Sequence, residues 1–186
     1  MVILISISFF PFVGIFVIHQ FIEHPVYWKK TVAFFKGAKY LGEDGIILQK
    51  HINDCGPAAL KMIFDYFKIP ATLEEITEKV LGKKGSTMLS LKEMAELKGL
   101  KAEGWRLTFK DLKKMKFPAI VFASGDHFVV ISEITEDGKI TILDPAIGKL
   151  RYASWGFRKI WKGETLIFKS RKQLPGIIEK EVIEMR

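Results

Sequence analysis

The chain has 186 residues, of which 48% are hydrophobic and 27% are charged, and its formal net charge is +8. This composition is typical of a globular protein and excludes a disordered or fibrous chain, and the length suffices for one well-buried domain. The single cysteine excludes a disulfide within the chain, and with it the class of small secreted folds that disulfides hold together. All 29 Lys and Arg residues follow position 28, so the chain divides into an apolar start and a basic remainder.

The first segment is predicted to be a membrane anchor. Residues 1–22 carry no charged side chain, and as a helix they would extend about 33 Å, enough to cross a hydrocarbon core of about 30 Å. Lys29, Lys30, Lys36 and Lys39 follow this span closely, and the positive-inside rule then places the remainder of the chain in the cytoplasm. A secretory signal peptide and a buried core helix are the alternatives. The signal peptide is disfavoured because the segment lacks a basic n-region and a cleavage site. The core helix is disfavoured because the apolar run is too long.

The remainder is predicted to be one folded domain between two polar segments. We expect a juxtamembrane linker over residues 23–44, the folded domain over residues 45–170 and a charged C-terminal tail over residues 171–186. The sequence contains no internal repeat, low-complexity tract or second-domain linker in the folded region. One compact unit is therefore expected after the anchor.

Helical patterns occupy the first half of this domain. The stretch after Pro57 carries apolar residues at helical spacing, and Pro57 suits the first helical position, where a missing N–H costs nothing. Capping boxes predict two more helices, starting at Thr72 and at Ser90, because a glutamate follows each of them three residues later. Gly99 is expected to end the second of these. A short fourth helix is predicted over residues 108–114.

Strand patterns occupy the second half. Asp137 and Gly138 mark a tight hairpin between two apolar segments. Helices followed by strands indicate an α+β fold, with N-terminal helices and a C-terminal antiparallel sheet. Five short apolar segments are predicted as strands: residues 119–122, 128–134, 140–143, 150–152 and 165–168.

One cysteine, one histidine and one aspartate could together form a thiol site. Cys55 lies at the start of the first predicted domain helix, where the helix dipole favours a thiolate. His127 opens one strand of the hairpin and Asp144 closes the other, so antiparallel pairing would bring them together. A nucleophile, a base and a carboxylate that orients the base are the parts of a thiol-acyl transfer site. The side-chain amide of Gln49 could donate a hydrogen bond to an oxyanion. Each residue also has a structural interpretation: a buried thiol, a strand-end histidine and a turn-forming aspartate.

The string QKHINDCGPAAL resembles the active-site signature of the bacteriocin-processing cysteine peptidases, family 39 of the cysteine peptidases. In both, a glutamine, four residues and an acidic residue precede Cys-Gly. The similarity continues through FPAIVFASGDHFVVI and ILDPAIGKLRYASWG and covers about residues 45–170. This resemblance implies a papain-like domain that cleaves leader peptides after a double-glycine motif, in many members as the N-terminal part of an export transporter.

Carried over by position, the resemblance implies that Cys55 is the nucleophile and His127 the base. It implies that Asp144 orients the imidazole and that Gln49 helps to form the oxyanion hole. The sequence has no P-loop pattern, so an ABC exporter would be a separate partner. We therefore predict a single-pass membrane cysteine endopeptidase acting on peptides with a glycine-rich leader. A papain-like acyl transferase or amidase with the same triad and a non-catalytic leader-binding module are the alternatives.

Neither a cofactor nor a metal is expected. The four histidines and the single cysteine have no metal-ligand spacing. The excess of lysine suggests nucleic acid only weakly, because no basic run interleaved with aromatic residues and no known binding module occurs. A solvated basic face beside anionic lipid is the preferred interpretation of the charge.

Overall fold

The structure is a computed structural model that describes residues 25–83 and 85–169. Its helices are α1 (Pro25–Phe35), α2 (Cys55–Phe67), α3 (Leu73–Val80), α4 (Met88–Leu97), α5 (Phe109–Leu112) and α6 (Ser154–Ile160). Its strands are β1 (Ala38–Gly42), β2 (Lys101–Arg106), β3 (Ala119–Ala123), β4 (His127–Ile134), β5 (Ile140–Asp144), β6 (Gly148–Tyr152) and β7 (Trp161–Lys169).

The strands form one seven-stranded sheet in the order β1-β6-β5-β4-β3-β7-β2, and every neighbouring pair is antiparallel. Strands β3 to β6 follow one another as hairpins, which is the run predicted from the apolar segments. The α+β class and the antiparallel sheet are therefore confirmed. The sheet is larger than expected, because β1 and β2 at its two edges were not predicted.

Apolar side chains alternate between the two faces of the sheet and build a core on each. Ile120, Phe128 and Val130 belong to the core that the sheet forms with α2, α3 and α4. Val121 and Val129 point to the other face, where the core includes residues of α1, α5 and α6. Because both faces are covered, the central strands are almost continuously apolar rather than alternating.

Two helix starts differ in detail from their predictions. The α4 start predicted at Ser90 is wrong: Thr87 is the N-cap, and Ser90 is the third helical residue, with reciprocal bonds of 3.0 Å between them. The mistake arose because serine is itself a good N-cap. Pro57 is the third residue of α2 rather than the first, but it still lies in the first turn, where no N–H has an intrahelical acceptor. The cap at Thr72 is confirmed, since its hydroxyl accepts the Glu75 N–H at 3.1 Å.

The N-terminal region is partly described. Residues 25–35 and 38–42, within the segment predicted as a linker, form α1 and β1. In the described part of the chain no helix is long and apolar enough to cross a membrane. The predicted anchor over residues 1–22 lies outside the described residues, as does the tail over residues 171–186.

Candidate active site

Cys55 is the first residue of α2, and its side chain is buried. Asp54 is the N-cap, but its carboxylate accepts the His51 N–H at 3.0 Å instead of a helical N–H. The Cys55 N–H has no acceptor among the described residues. The thiol therefore lies at the positive end of the helix dipole, beside a backbone donor that is free to bind another group.

His127 is placed by the tight turn between β3 and β4. Ser124 and Gly125 have φ values of 58° and 85°, so the first two residues of this three-residue turn adopt the left-handed conformation. The Ser124 N–H donates to the Ile160 carbonyl at 2.7 Å, which ties the turn to α6. His127 pairs with Ala123 at the first position after the turn. The imidazole thus projects from the end of the sheet where α2 begins.

Asp144 is the last residue of β5, and its side chain is buried, with 7% of its surface exposed. Its Oδ1 lies 2.7 Å from Nε2 of His127 and accepts the Ala146 N–H at 2.8 Å. Continuing the β4–β5 register beyond Val130 and Leu143 puts Asp144 diagonal to His127, close enough for side chains to meet. The predicted proximity of His127 and Asp144 is therefore present.

The two titrating groups favour an ion pair. Burial opposes a charged imidazolium, but the hydrogen bonds of the ring with Asp144 and Cys55 raise the pKa of His127 to about 9. Burial also opposes the thiolate, yet hydrogen bonds from His127 and from the backbone at Phe128 and Gly56 lower the pKa of Cys55 below 9.0. Since Nε2 of His127 binds Asp144, Nδ1 is the ring nitrogen left to contact the thiol. The raised pKa of His127 and the lowered pKa of Cys55 both favour a thiolate beside an imidazolium.

Gln49 lies at the same cleft but is engaged in local hydrogen bonds. Its backbone N–H donates to the Pro145 carbonyl at 2.8 Å, which fastens it to the turn after Asp144. Its side-chain Nε2 donates to the carbonyls of His51 at 2.9 Å and Ile52 at 3.2 Å. Its Oε1 is buried without a partner among the described residues. The role of Gln49 as an oxyanion donor stays a prediction.

The predicted residues share one cleft of about 720 Å³, lined by Gln49, Cys55, His127 and Asp144 among others. Ser86, which the sequence analysis did not assign, also lines it. Its Oγ is buried without a hydrogen-bond partner in the described chain.

Ser86 lies against the start of α2. A Cβ added to Gly56 would be 2.6 Å from the Ser86 Cβ and 2.7 Å from its Oγ. Gly56 is therefore needed for the approach of these two segments. In the sequence Ser86 looks like an ordinary turn residue after Gly85, and only the contact with Gly56 distinguishes it.

Within residues 25–83 and 85–169, no cluster of three or more His, Cys, Asp or Glu side chains could hold a metal ion. The groups at the cleft include a thiol, an imidazole and a carboxylate, which are the residue types that thiol chemistry uses.

Comparisons with known proteins agree with this geometry. The chain is 30% identical over 128 residues to an uncharacterised protein of Methanothermobacter thermautotrophicus, covering 68% of this chain and 89% of that protein. It is 32% identical over 130 residues to the probable functional amyloid protease FapD of Pseudomonas aeruginosa, covering 63% of this chain and 57% of FapD.

Among solved structures, the chain is similar to a double-glycine motif protease from an AMS/PCAT transporter, crystallised in complex with the leader peptide. The TM-score is 0.65 and the identity 31%, covering 72% of this chain and 94% of that protein. The model of the Peptidase C39 family matches residues 43–173, which include every cleft-lining residue except Lys29, Val32, Ala33 and Lys36. The chain therefore belongs to the Peptidase C39 family and is a cysteine peptidase with a papain-like α+β domain.

Proposed function

We propose that this chain is a membrane-anchored cysteine endopeptidase that cuts leader peptides after a double-glycine motif, using Cys55, His127 and Asp144 as its catalytic triad. The observation that carries the proposal is the 2.7 Å contact between His127 Nε2 and Asp144 Oδ1, beside a thiol at the N-terminus of α2. A charged histidine held by a buried carboxylate is what a thiolate nucleophile requires.

In the first half of the reaction, the Cys55 thiolate attacks the carbonyl carbon of the scissile peptide bond. The electron pair of the carbonyl moves to its oxygen, and the Cys55 N–H stabilises the resulting oxyanion. Gln49 supplies a second donor by exchanging one of its two carbonyl bonds for the oxyanion. The His127 imidazolium gives its proton to the leaving amine as the carbon–nitrogen bond breaks, which leaves a thioester on Cys55.

In the second half, neutral His127 takes a proton from water, and the hydroxide that forms attacks the thioester. The carbon–sulfur bond breaks, Cys55 returns to the thiolate, and the leader leaves as a carboxylic acid that loses its proton to the solvent. Asp144 keeps the ring in position throughout, and its charge stabilises the imidazolium.

One observation supports small residues at the cut: the double-glycine motif protease to which this chain is 31% identical was crystallised with its leader peptide.

The anchor and its topology are part of the proposal. The uncharged run over residues 1–22 and the lysines that follow it support a single span with the peptidase domain in the cytoplasm. A separate ABC exporter is the partner that fits such a peptidase, since the similar double-glycine motif protease comes from a transporter. If the anchor spans the membrane, the protein should resist extraction with alkaline carbonate. If the topology is correct, added protease should digest the peptidase domain only in vesicles that expose their cytoplasmic side.

The test of activity uses the full chain in detergent and a synthetic precursor with a Gly-Gly pair. Mass spectrometry should find one cut, directly after the second glycine, and a peptide with Val-Val at that position should stay intact. Cys55→Ala should abolish cleavage, whereas Tyr66→Phe, an exposed change on α2, should not alter it.

The same assay separates the alternatives. An acyl transferase or amidase would pass the acyl group to added amines, and the amide product would exceed the hydrolysis product. A leader-binding module would bind the precursor without cutting it. Cleavage that survives Cys55→Ala would refute the proposal.

A further inference from the structure

Helix α1 brings a basic face to the catalytic cleft. We propose that this face is a substrate-binding wall, on which Lys29 and Lys36 select peptides with acidic side chains near the cut. The inference rests on the proposed peptidase function and adds the substrate class to it.

Three residues of α1 and the residue that follows it line the catalytic cleft. Lys29, Val32 and Ala33 of α1, and Lys36 directly after it, line the same cleft as Cys55 and His127. The Lys36 N–H still donates to the Val32 carbonyl at 3.1 Å, so the helical spacing, in which positions three, four and seven residues apart share one face, extends to Lys36. The cleft side of this segment therefore has two small apolar residues between two cations, a surface suited to an extended peptide with acidic side chains.

The two cations have no acidic partner in the described part of the chain. Lys30, which is adjacent to Lys29 but does not line the cleft, is by contrast 3.4 Å from Glu43. Of the carboxylates that line the cleft, Asp144 is already bound to His127, which leaves Asp126 on the turn before β4. No described carboxylate neutralises the positive charge at Lys29 and Lys36, so this charge is available to an acidic ligand.

The position of α1 is held by close packing at its C-terminal end. Ala33 is 4% exposed. The Gly37 carbonyl accepts the Ala153 N–H at 3.0 Å. A Cβ added to Gly156 of α6 would lie 1.9 Å from the Lys36 carbonyl oxygen, so only glycine permits this approach. The wall is consequently part of the folded domain.

Helix α1 also precedes the region that the family shares. The Peptidase C39 match begins at residue 43, after α1 has ended at Phe35. A preference created by Lys29 and Lys36 is therefore a property of this chain and not of the family motif around Cys55.

The experiment compares matched double-glycine peptides that differ only in carrying Glu, Gln or Lys near the glycine pair. In one series the varied residue precedes the pair, and in a second series it follows the pair. For the full chain, kcat/KM for the Glu peptide should exceed that for the Gln peptide about tenfold in one series, the size expected of two partly exposed ion pairs. The double substitution Lys29→Gln/Lys36→Gln should reduce this ratio to about one. Lys29→Glu/Lys36→Glu should favour the Lys peptide, and the control Lys39→Gln, on β1, should retain the original ratio.

Two further measurements keep the inference separate from the proposed function. Gly156→Ala should also abolish the preference, because it displaces α1, and a thermal melt shows whether the domain still folds. Anisotropy with labelled peptides and the Cys55→Ala chain measures the same preference without cleavage. Equal affinity for Glu and Gln peptides, or a preference that charge reversal leaves intact, would overturn the inference even if cleavage after Gly-Gly is found. Absence of cleavage with a normal acidic preference would overturn only the proposed function.

Discussion

Replacement of Asp144 by asparagine tests the proposed triad most directly. The change keeps the shape of the side chain but removes the charge 2.7 Å from Nε2 of His127. The pKa of His127 is raised from 6.5 to about 9, which corresponds to about 3 kcal/mol of preference for the charged ring. Asp144 is the stronger of the two groups that raise the pKa, ahead of Cys55. Its loss should therefore cost roughly 2 kcal/mol, or about 30-fold in kcat/KM at neutral pH.

The pH dependence of kcat/KM should change in one direction in this variant. His127 is charged below its pKa, and the thiolate–imidazolium pair exists from the lowered pKa of Cys55 up to about pH 9. In Asp144→Asn the imidazolium loses its stabilising charge, so the alkaline limit of kcat/KM should move down from about 9 toward 6.5. The rate of Cys55 alkylation at neutral pH should fall with it.

A matched control makes the same chemical change elsewhere in the β4–β5 hairpin. Asp137→Asn removes an exposed carboxylate that pairs with Lys139 and does not line the cleft, so it should leave the profile unchanged. If Asp144→Asn retains the alkaline limit near pH 9 and the original kcat/KM, Asp144 does not hold the charge of His127 and the proposed triad is wrong.

Three further predictions concern the same cleft. Gly56→Ala places a methyl group 2.6 Å from the Ser86 Cβ, so it should lower the melting temperature and the activity, and adding Ser86→Gly should restore both. Gln49→Ala should lower kcat about 100-fold if the amide stabilises the oxyanion, while the alkylation rate of Cys55 stays within about twofold; an unchanged kcat would leave Gln49 a structural residue. In the Cys55→Ala chain, where no thiolate forms, charged His127 should stabilise the fold fully below pH 6.5 and lose that contribution as the pH rises through its folded-state pKa. Thermal melts from pH 5 to 10 should then show a fall in melting temperature that the additional change His127→Gln removes, and a flat profile would contradict the raised pKa.

Much of the site could be predicted from local patterns. The apolar spacing after Cys55 requires a buried helix, and a helix start is where a thiolate is stabilised, so the chemistry of Cys55 follows from its neighbours. The turn at Asp137 and Gly138 fixes which ends of two strands meet, and this brought His127 and Asp144 together although 17 positions separate them.

Other features depend on contacts between distant segments and have weak local signals. Strand β2, KAEGWR, lacks clear alternation, and it is a strand because β7 pairs with every one of its residues. Helix α1 was expected to be part of a linker, because its lysines suggest a solvated connection. It has a fixed position because the glycine at 156 admits the carbonyl of Lys36.

The amino-acid sequence by itself determined the fold class, the family and the four candidate residues Gln49, Cys55, His127 and Asp144. It could do so because helix periodicity, strand alternation and a short signature motif are properties of neighbouring residues. Only the tertiary structure decided that Gln49 donates to two backbone carbonyls, that Ser86 lies against the start of α2, and that α1 forms a wall of the cleft. Those relations arise when elements far apart in the chain pack together, and no spacing within a single segment encodes them.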